Sequence, residues 1–230
     1  MQLKIVLDSF RAEFLNKVPA DIAAAMEQAT TQLAEDYAAK SLLKVGDRAP
    51  DFELPNAFGK KIKLSDRLQQ GAVILTFYRG EWCPYCNLEL RTYQQILPQI
   101  KALGASLIAI SPQTPDRSLS TIEKNQLSFD VLSDRGSLVA EAYRIAYQLP
   151  DALKRIYTQF SHALPDMNGT DDWQLPIPAT FAISSNGKIL LAHVDVDYRS
   201  RLEPEKVLES ITLLNVKDCL EISTHGNSDR

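Results

Sequence analysis

Between residues 72 and 147 the chain alternates short apolar runs with segments of helical character, and this alternation narrows the open architectures more than any other feature. The run AVILTFY (72–78) reads as a buried strand, and a helix from about Pro84 to Leu103, closing at Gly104, follows it. Pro98 is expected to kink that helix. The strand SLIAIS, a helix through RSLSTIEKNQ, the strand FDVLS and a helix through SLVAEAYRIAY continue the rhythm. Such alternation implies a largely parallel sheet with helices on both faces. Further on, ATFAISSNGKILLAHV reads as a hairpin turned by Asn186-Gly187, and EPEKVLESITLL as a last helix. The hairpin adds antiparallel strands, so the expected class is α/β with a mixed central sheet and flanking helices.

Residues 1–42 carry no strand signal. Leu7, Phe10, Phe14 and Val18, then Ile22, Met26, Ala29, Leu33 and Tyr37, recur at helical spacing. Two helices broken near Pro19 fit, an N-terminal extension that packs against the domain or against a second subunit. From VGDRAPDFELPNAFGKKIKLSD the texture changes to short strands, with a hairpin at Gly59-Lys60, so a main domain is expected over 43–216. Within it, 147–176 is longer than an ordinary connection and sets Leu153, Ile156, Tyr157 and Phe160 on one helical stripe. It reads as an insertion that roofs a site, contacts a second copy in a homodimer, or packs into the core. Residues 217–230 read as a frayed tail.

A formal charge of −4 gives no basic excess for nucleic acid, and GAVILTF is far too short to span a bilayer. The N-terminus MQLKIVLDSFRAEF scatters charges where a signal peptide needs an unbroken apolar stretch, so the expected location is cytoplasmic. Three cysteines, Cys83, Cys86 and Cys219, are too few for a secreted disulfide framework. In a reducing compartment a disulfide among them would be transient.

Cys83 and Cys86 stand where the first strand of the alternation gives way to its helix, in LTFYRGEWCPYC. A helix N-terminus presents unpaired N–H groups and a partial positive charge, which stabilise a thiolate. Free thiols ionise near a pKa of roughly 8.5, and such settings bring the value to roughly 3.5–7.5. Pro84 suits the first helical position, and Cys86 one turn along is within reach of a sulfur bonded to Cys83. The spacing therefore suits a dithiol that closes and opens a small disulfide ring. Two other readings are a zinc site, which needs two further ligands that Cys219 and three histidines do not supply at motif spacing, and a pair of inert core cysteines. No metal or organic cofactor is expected.

EWCPYC resembles the active-site turn of thioredoxin-fold proteins, and VGDRAPDFELPNAFGKKIKLSD resembles the N-terminal segment of the peroxiredoxins. With the NGKIL hairpin, PIPATF and the last helix, the likeness covers about residues 43–215. The chain thus resembles the alkyl hydroperoxide reductase/thiol-specific antioxidant family, in a peroxiredoxin-like branch with Cys-x-x-Cys. The resemblance implies a thioredoxin-like fold and a thiol peroxidase that reduces hydroperoxides through a Cys83/Cys86 dithiol–disulfide cycle, reset by an external thiol such as thioredoxin or glutathione. The alternatives are a disulfide oxidoreductase acting on protein disulfides and a thiol redox sensor. The family's Pro-x-x-x-Thr/Ser-x-x-Cys loop aligns with Arg79, Cys83 and Cys86, so only the last residue matches, and its peroxide-polarising arginine aligns with Pro178. Pro178 instead resembles the cis-proline that faces the cysteine pair in thioredoxins. Arg79 is placed to substitute for the missing arginine, pairing with a thiolate or a peroxide oxygen, or else lies on the surface. Trp82 forms an apolar collar for substrate or fills space, as Tyr85 does. Alignment with peroxiredoxins points to Cys86 as the attacking thiol, whereas the helix N-terminus points to Cys83, which is favoured for disulfide exchange. His162 reads as a packing or surface residue and Cys219 as a bystander.

Overall fold

The computed structural model describes residues 2–213. Two helices, α1 (Leu3–Lys17) and α2 (Ala20–Ala38), open the chain, and Pro19 sits at the break as the N-cap of α2. The strands β1 (Glu53–Pro55) and β2 (Lys61–Lys63) form the antiparallel hairpin, followed by α3 (Leu64–Leu68) and β3 (Val73–Phe77). Then come α4 (Pro84–Ala102), β4 (Ser106–Ser111), α5 (Pro115–Asn125), β5 (Asp130–Ser133) and α6 (Leu138–Ala142). The segment that follows holds β6 (Ala146–Gln148), α7 (Asp151–Gln159), α8 (Leu164–Asn168) and β7 (Gln174–Pro176). The strands β8 (Ala179–Ile183) and β9 (Ile189–Val194) precede a helical stretch over 204–213.

The central sheet has the order β5-β4-β3-β8-β9. The three strands of the alternation run parallel, and β8 joins β3 antiparallel, with Val73 opposite both Ser106 and Ile183. All five residues of β3 are buried, because helices cover both faces of a central strand and nothing along it needs to be polar. Its one hydroxyl, on Thr76, lies 3.4 Å from that of Thr180, which also meets Tyr93 Oη at 3.0 Å. That pairing removes the cost of burying a lone polar group. The mixed sheet with flanking helices is thus the thioredoxin-like arrangement that the resemblance implied.

α4 runs to Ala102 with Pro98 inside it, over the span expected. One local expectation changes. The helix expected through SLVAEAYRIAY stops at Ala142, because Arg144 takes a left-handed conformation (φ 61°) and Ile145 N–H returns to the carbonyl of Ala140 at 2.9 Å. This C-terminal cap turns the fully buried Ile145 into the core, and tertiary burial overrides the helical propensity.

The N-terminal helices lie over the end of the sheet from which α4 starts. Leu3 and Leu7 of α1 are buried in one cluster with Tyr85 and Leu90 of α4, and Ile22 and Met26 of α2 pack on Leu153, Ile156 and Tyr157 of α7. Loop 195–203 ties both down: the Glu203 carboxylate accepts the backbone N–H groups of Leu3 (3.0 Å) and Lys4 (2.8 Å), and Arg199 pairs with Glu27 at 2.6 Å. Among the described residues no helix is long and apolar enough to cross a membrane. Cys219 and the tail expected over 217–230 lie outside the described residues.

Candidate active site

The chain leaves β3 at Tyr78 and reaches Cys83, the N-cap of α4, with Pro84 in the first turn. Gly80 makes this turn at φ +148°, and a Cβ there would lie 2.4 Å from Trp82 Nε1, so the indole packs directly on the glycine backbone. Buried amides hold the loop from beneath. Gln113 accepts the Glu81 N–H at 2.8 Å and donates to Tyr78 Oη and Thr121 Oγ1, both at 2.8 Å. Asn87 donates to the carbonyls of Glu81 (2.7 Å) and Cys83 (3.1 Å), and Asn125 donates to Asn87 at 2.8 Å.

Both thiols are free and buried, and Cys86 Sγ donates to Cys83 Sγ across 2.8 Å. Burial opposes ionisation of Cys83, yet the hydrogen bond from Cys86 and the guanidinium groups of Arg79 and Arg201 outweigh it and bring the thiol down to about 6. The Cys86 backbone N–H at the start of α4 adds to this stabilisation, as expected of a helix N-terminus. Burial and the adjacent Cys83 push Cys86 well above its ordinary value. The pair is thus split into one thiolate and one thiol.

Arg79 is buried, not on the surface, at 2% exposure. Its backbone N–H reaches Cys86 Sγ at 3.5 Å and its guanidinium donates to Tyr157 Oη. The same guanidinium lies 4.2 Å from the ring centre of Tyr198 and 4.8 Å from that of Trp82, contacts that hold a cation where water cannot. Trp82 in turn meets Tyr157 edge-on at 5.3 Å and His162 at 5.6 Å.

These groups border a cavity of about 140 Å³ beside Cys83. Its wall combines Arg79, Trp82, Cys83, Pro84 and Tyr85 with Tyr157, Phe160 and His162 from the 147–176 segment, Tyr198 from the last loop, and Phe10, Phe14 and Met26 from the N-terminal helices. Arg79 Nε and His162 Nδ1 are buried with no hydrogen-bond partner among the described residues. Tyr85 fills space against Phe10 and Tyr198, edge-on to both, and its ring also borders the cavity.

The structure brings Cys83, Cys86, Arg79 and Trp82 together, but it does not bear out a cis-proline at residue 178. Every peptide bond among the described residues is trans. The Ile177 N–H donates to the Ile145 carbonyl at 2.7 Å, and Ala179 already pairs with Phe77 and Val194, so the backbone passes Pro178 extended with no turn to make. Pro178 is a buried strand-start residue and is not part of the cavity wall.

Sequence reading missed Arg201 and Glu89. Their side chains, each 2% exposed, form an ion pair at 2.7 Å, and Arg201 Nη2 reaches Cys86 Sγ at 3.5 Å. Burial pushes Glu89 up to about 7 against the pull of Arg201. Glu89 carried a signal, a carboxylate three residues after Cys86 on an otherwise buried helix face, whereas Arg201 lies 115 residues from Cys86 with nothing local to single it out.

Peroxiredoxin Bcp of Escherichia coli is 31% identical over 103 residues, covering 45% of this chain and 65% of that protein. The thiol-disulfide oxidoreductase ResA of Geobacillus kaustophilus is 27% identical over 176 residues, 76% of this chain and 82% of ResA. The crystal structure of peroxidoxin BcpB from Mycobacterium tuberculosis superposes with a TM-score of 0.59 at 23% identity, covering 74% of this chain and 97% of that one, and shares the fold. Residues 45–192, which span the sheet from the β1–β2 hairpin to β9 and include the cysteine turn, match the AhpC/TSA family, and the chain belongs to that family.

Proposed function

We propose that the chain is a dithiol peroxidase for small organic hydroperoxides. The observation that carries this reading is the placement of Cys83: at 1% exposure it borders a largely aromatic pocket, with Arg79 in the same wall and Cys86 behind it at 2.8 Å. An apolar pocket with a few polar groups suits a small molecule with an apolar tail and a polar head. A protein disulfide would have to bring its sulfur to a Cys83 that is only 1% exposed.

The Cys83 thiolate attacks the outer oxygen of the hydroperoxide. An S–O bond forms, the O–O bond breaks, and the alkoxide takes a proton and leaves as the alcohol. Cys83 becomes a sulfenic acid. Arg79, whose Nε–H has no partner among the described residues, donates to the peroxide oxygen as charge develops on it. Trp82 positions the apolar part. Cys86 then closes the disulfide and water departs. Two equivalents of an external thiol, such as thioredoxin or glutathione, restore the dithiol and become a disulfide. This reset needs a supply of reduced thiol, in keeping with the reducing setting expected from the cysteine usage.

The likeness to ResA over 76% of the chain favours a second reading, disulfide exchange with a partner protein. Stopped-flow mixing of reduced protein with cumene hydroperoxide, following tryptophan fluorescence and free thiols, separates the two. Rapid loss of two thiols per peroxide is the expected result. Negligible reaction alongside fast reduction of insulin disulfides would establish the oxidoreductase instead.

A further inference from the structure

Ionisable groups face Cys86 from several elements. Cys83 precedes it by one turn and Glu89 follows it by one turn on α4, Tyr78 and Arg79 come from the end of β3, Tyr147 from β6, and Arg201 from loop 195–203. Arg201 is the most firmly held of them. Its Nε donates to the Glu89 carboxylate at 2.7 Å and its Nη1 donates to the carbonyls of Tyr198 and Ser200, which leaves Nη2 directed at the Cys86 sulfur, 3.5 Å away. Burying this ion pair carries a desolvation cost that a structural role alone repays poorly.

We propose that Arg201, held by Glu89, is the positioning residue for the resolving half-reaction: it keeps the Cys86 sulfur against Cys83 and stabilises the negative charge that develops on it during disulfide closure. The inference rests on the dithiol peroxidase reading. In this step the Cys86 S–H bond breaks, the Cys83–Cys86 S–S bond forms and the Cys83 S–OH bond breaks. Hydroxide and the thiol proton leave as water, and the peroxide has already taken the two electrons. In the reduced pair the neighbouring Cys83 thiolate holds the proton on Cys86. Once Cys83 is a neutral sulfenic acid that repulsion is gone, and the guanidinium of Arg201 acts on Cys86 without it.

Full-length wild-type protein and the variants Arg201→Gln, Arg201→Lys and Glu89→Gln are each mixed with one equivalent of cumene hydroperoxide over a range of pH. Cys83 sulfenic acid is trapped with a 1,3-dione while loss of the second thiol is timed. Arg201→Gln is expected to form sulfenic acid and then close about tenfold or more slowly at neutral pH, with its closure profile displaced to higher pH, the scale of losing one opposite charge. Arg201→Lys restores part of the rate. Glu89→Gln removes a negative charge from the same cluster and displaces the profile to lower pH. Opposite displacements from the two halves of one ion pair are not produced by general loosening, and if Arg201→Gln fails to fold, Arg201→Lys against Glu89→Gln decides. Closure rates and pH profiles coinciding with wild type in all folded variants would overturn the role of Arg201. Failure of wild-type protein to lose two thiols per peroxide, together with absence of Cys83 sulfenic acid in Cys86→Ser, would instead overturn the peroxidase reading and this inference with it.

Discussion

Replacing Arg79 by Gln removes a buried cation that holds Cys83 ionised. With the Cys83 thiol at about 6, about nine-tenths of it is thiolate at pH 7. An opposite charge within about 4–6 Å is worth about 1–3 pKa units, so its loss moves Cys83 to between about 7 and about 9. At the middle of that range about a tenth is ionised at pH 7, and alkylation by iodoacetamide slows about tenfold. The sign follows from the depressed value. Reactivity rises as pH increases through about 6 in the wild type, and through a higher pH in the variant, while the plateau at high pH is unchanged. The assay is the rate of alkylation at Cys83 against pH, resolved by tandem mass spectrometry. Its readout is a midpoint, which partial loss of folded protein does not move. Arg79→Lys keeps the charge and should keep most of the shift. A midpoint in Arg79→Gln within about 0.3 units of wild type would refute the assignment of Arg79 as a thiolate partner.

Other perturbations test other parts of the site. Glu89→Ala leaves Arg201 buried without its partner and is expected to cost about 3–5 kcal/mol in urea unfolding, well above Glu89→Gln, which retains a hydrogen-bond acceptor. Gly80→Ala forces a side chain into a φ of +148° against Trp82 and should cost about 1–3 kcal/mol while altering tryptophan fluorescence. Phe14→Ala enlarges the apolar part of the cavity and should raise KM for cumene hydroperoxide while leaving the rate with hydrogen peroxide near wild type. Mild oxidation should give a loss of two protons confined to the peptide holding Cys83 and Cys86. A dominant link from either to Cys219 would reject that pairing.

The sheet was legible because its signals are local. A fully buried central strand reads as the continuous run VILTF, and the expected hairpin joins β8 and β9 through residues 184–188, its turn closed by the Gly187 N–H on the Ser184 carbonyl at 2.8 Å. The cysteine pair was legible for the same reason, since three residues of spacing at a strand-to-helix junction already imply contact between the thiols. The rest of the site comes from far along the chain. Arg201 reaches Cys86 across 115 residues, Tyr157 reaches Arg79 across 78, and Phe10 meets Tyr85 through packing that no local pattern encodes. The helical stripe of 147–176 suggested a roof, a dimer contact or core packing, and in the fold its Tyr157, Phe160 and His162 line the cavity over Cys83. The misjudged elements fail on tertiary grounds too. Burial of Ile145 ends α6 early, and the straight run from β7 into β8 leaves Pro178 trans.

The central claim is that Cys83 attacks and Cys86 resolves. It is tested most directly by comparing Cys83→Ser and Cys86→Ser, each exposed to one equivalent of cumene hydroperoxide and then to a sulfenic acid trap, with alkylation rates measured against pH. The position of Cys83 on the pocket wall, with Cys86 buried behind it, predicts that Cys86→Ser alkylates readily at neutral pH and accumulates a trapped sulfenic acid on Cys83, whereas Cys83→Ser carries no sulfenic acid. If Cys83→Ser alkylates readily and its Cys86 carries the sulfenic acid, while Cys86→Ser is inert, the order of attack is reversed and the account is wrong at its centre.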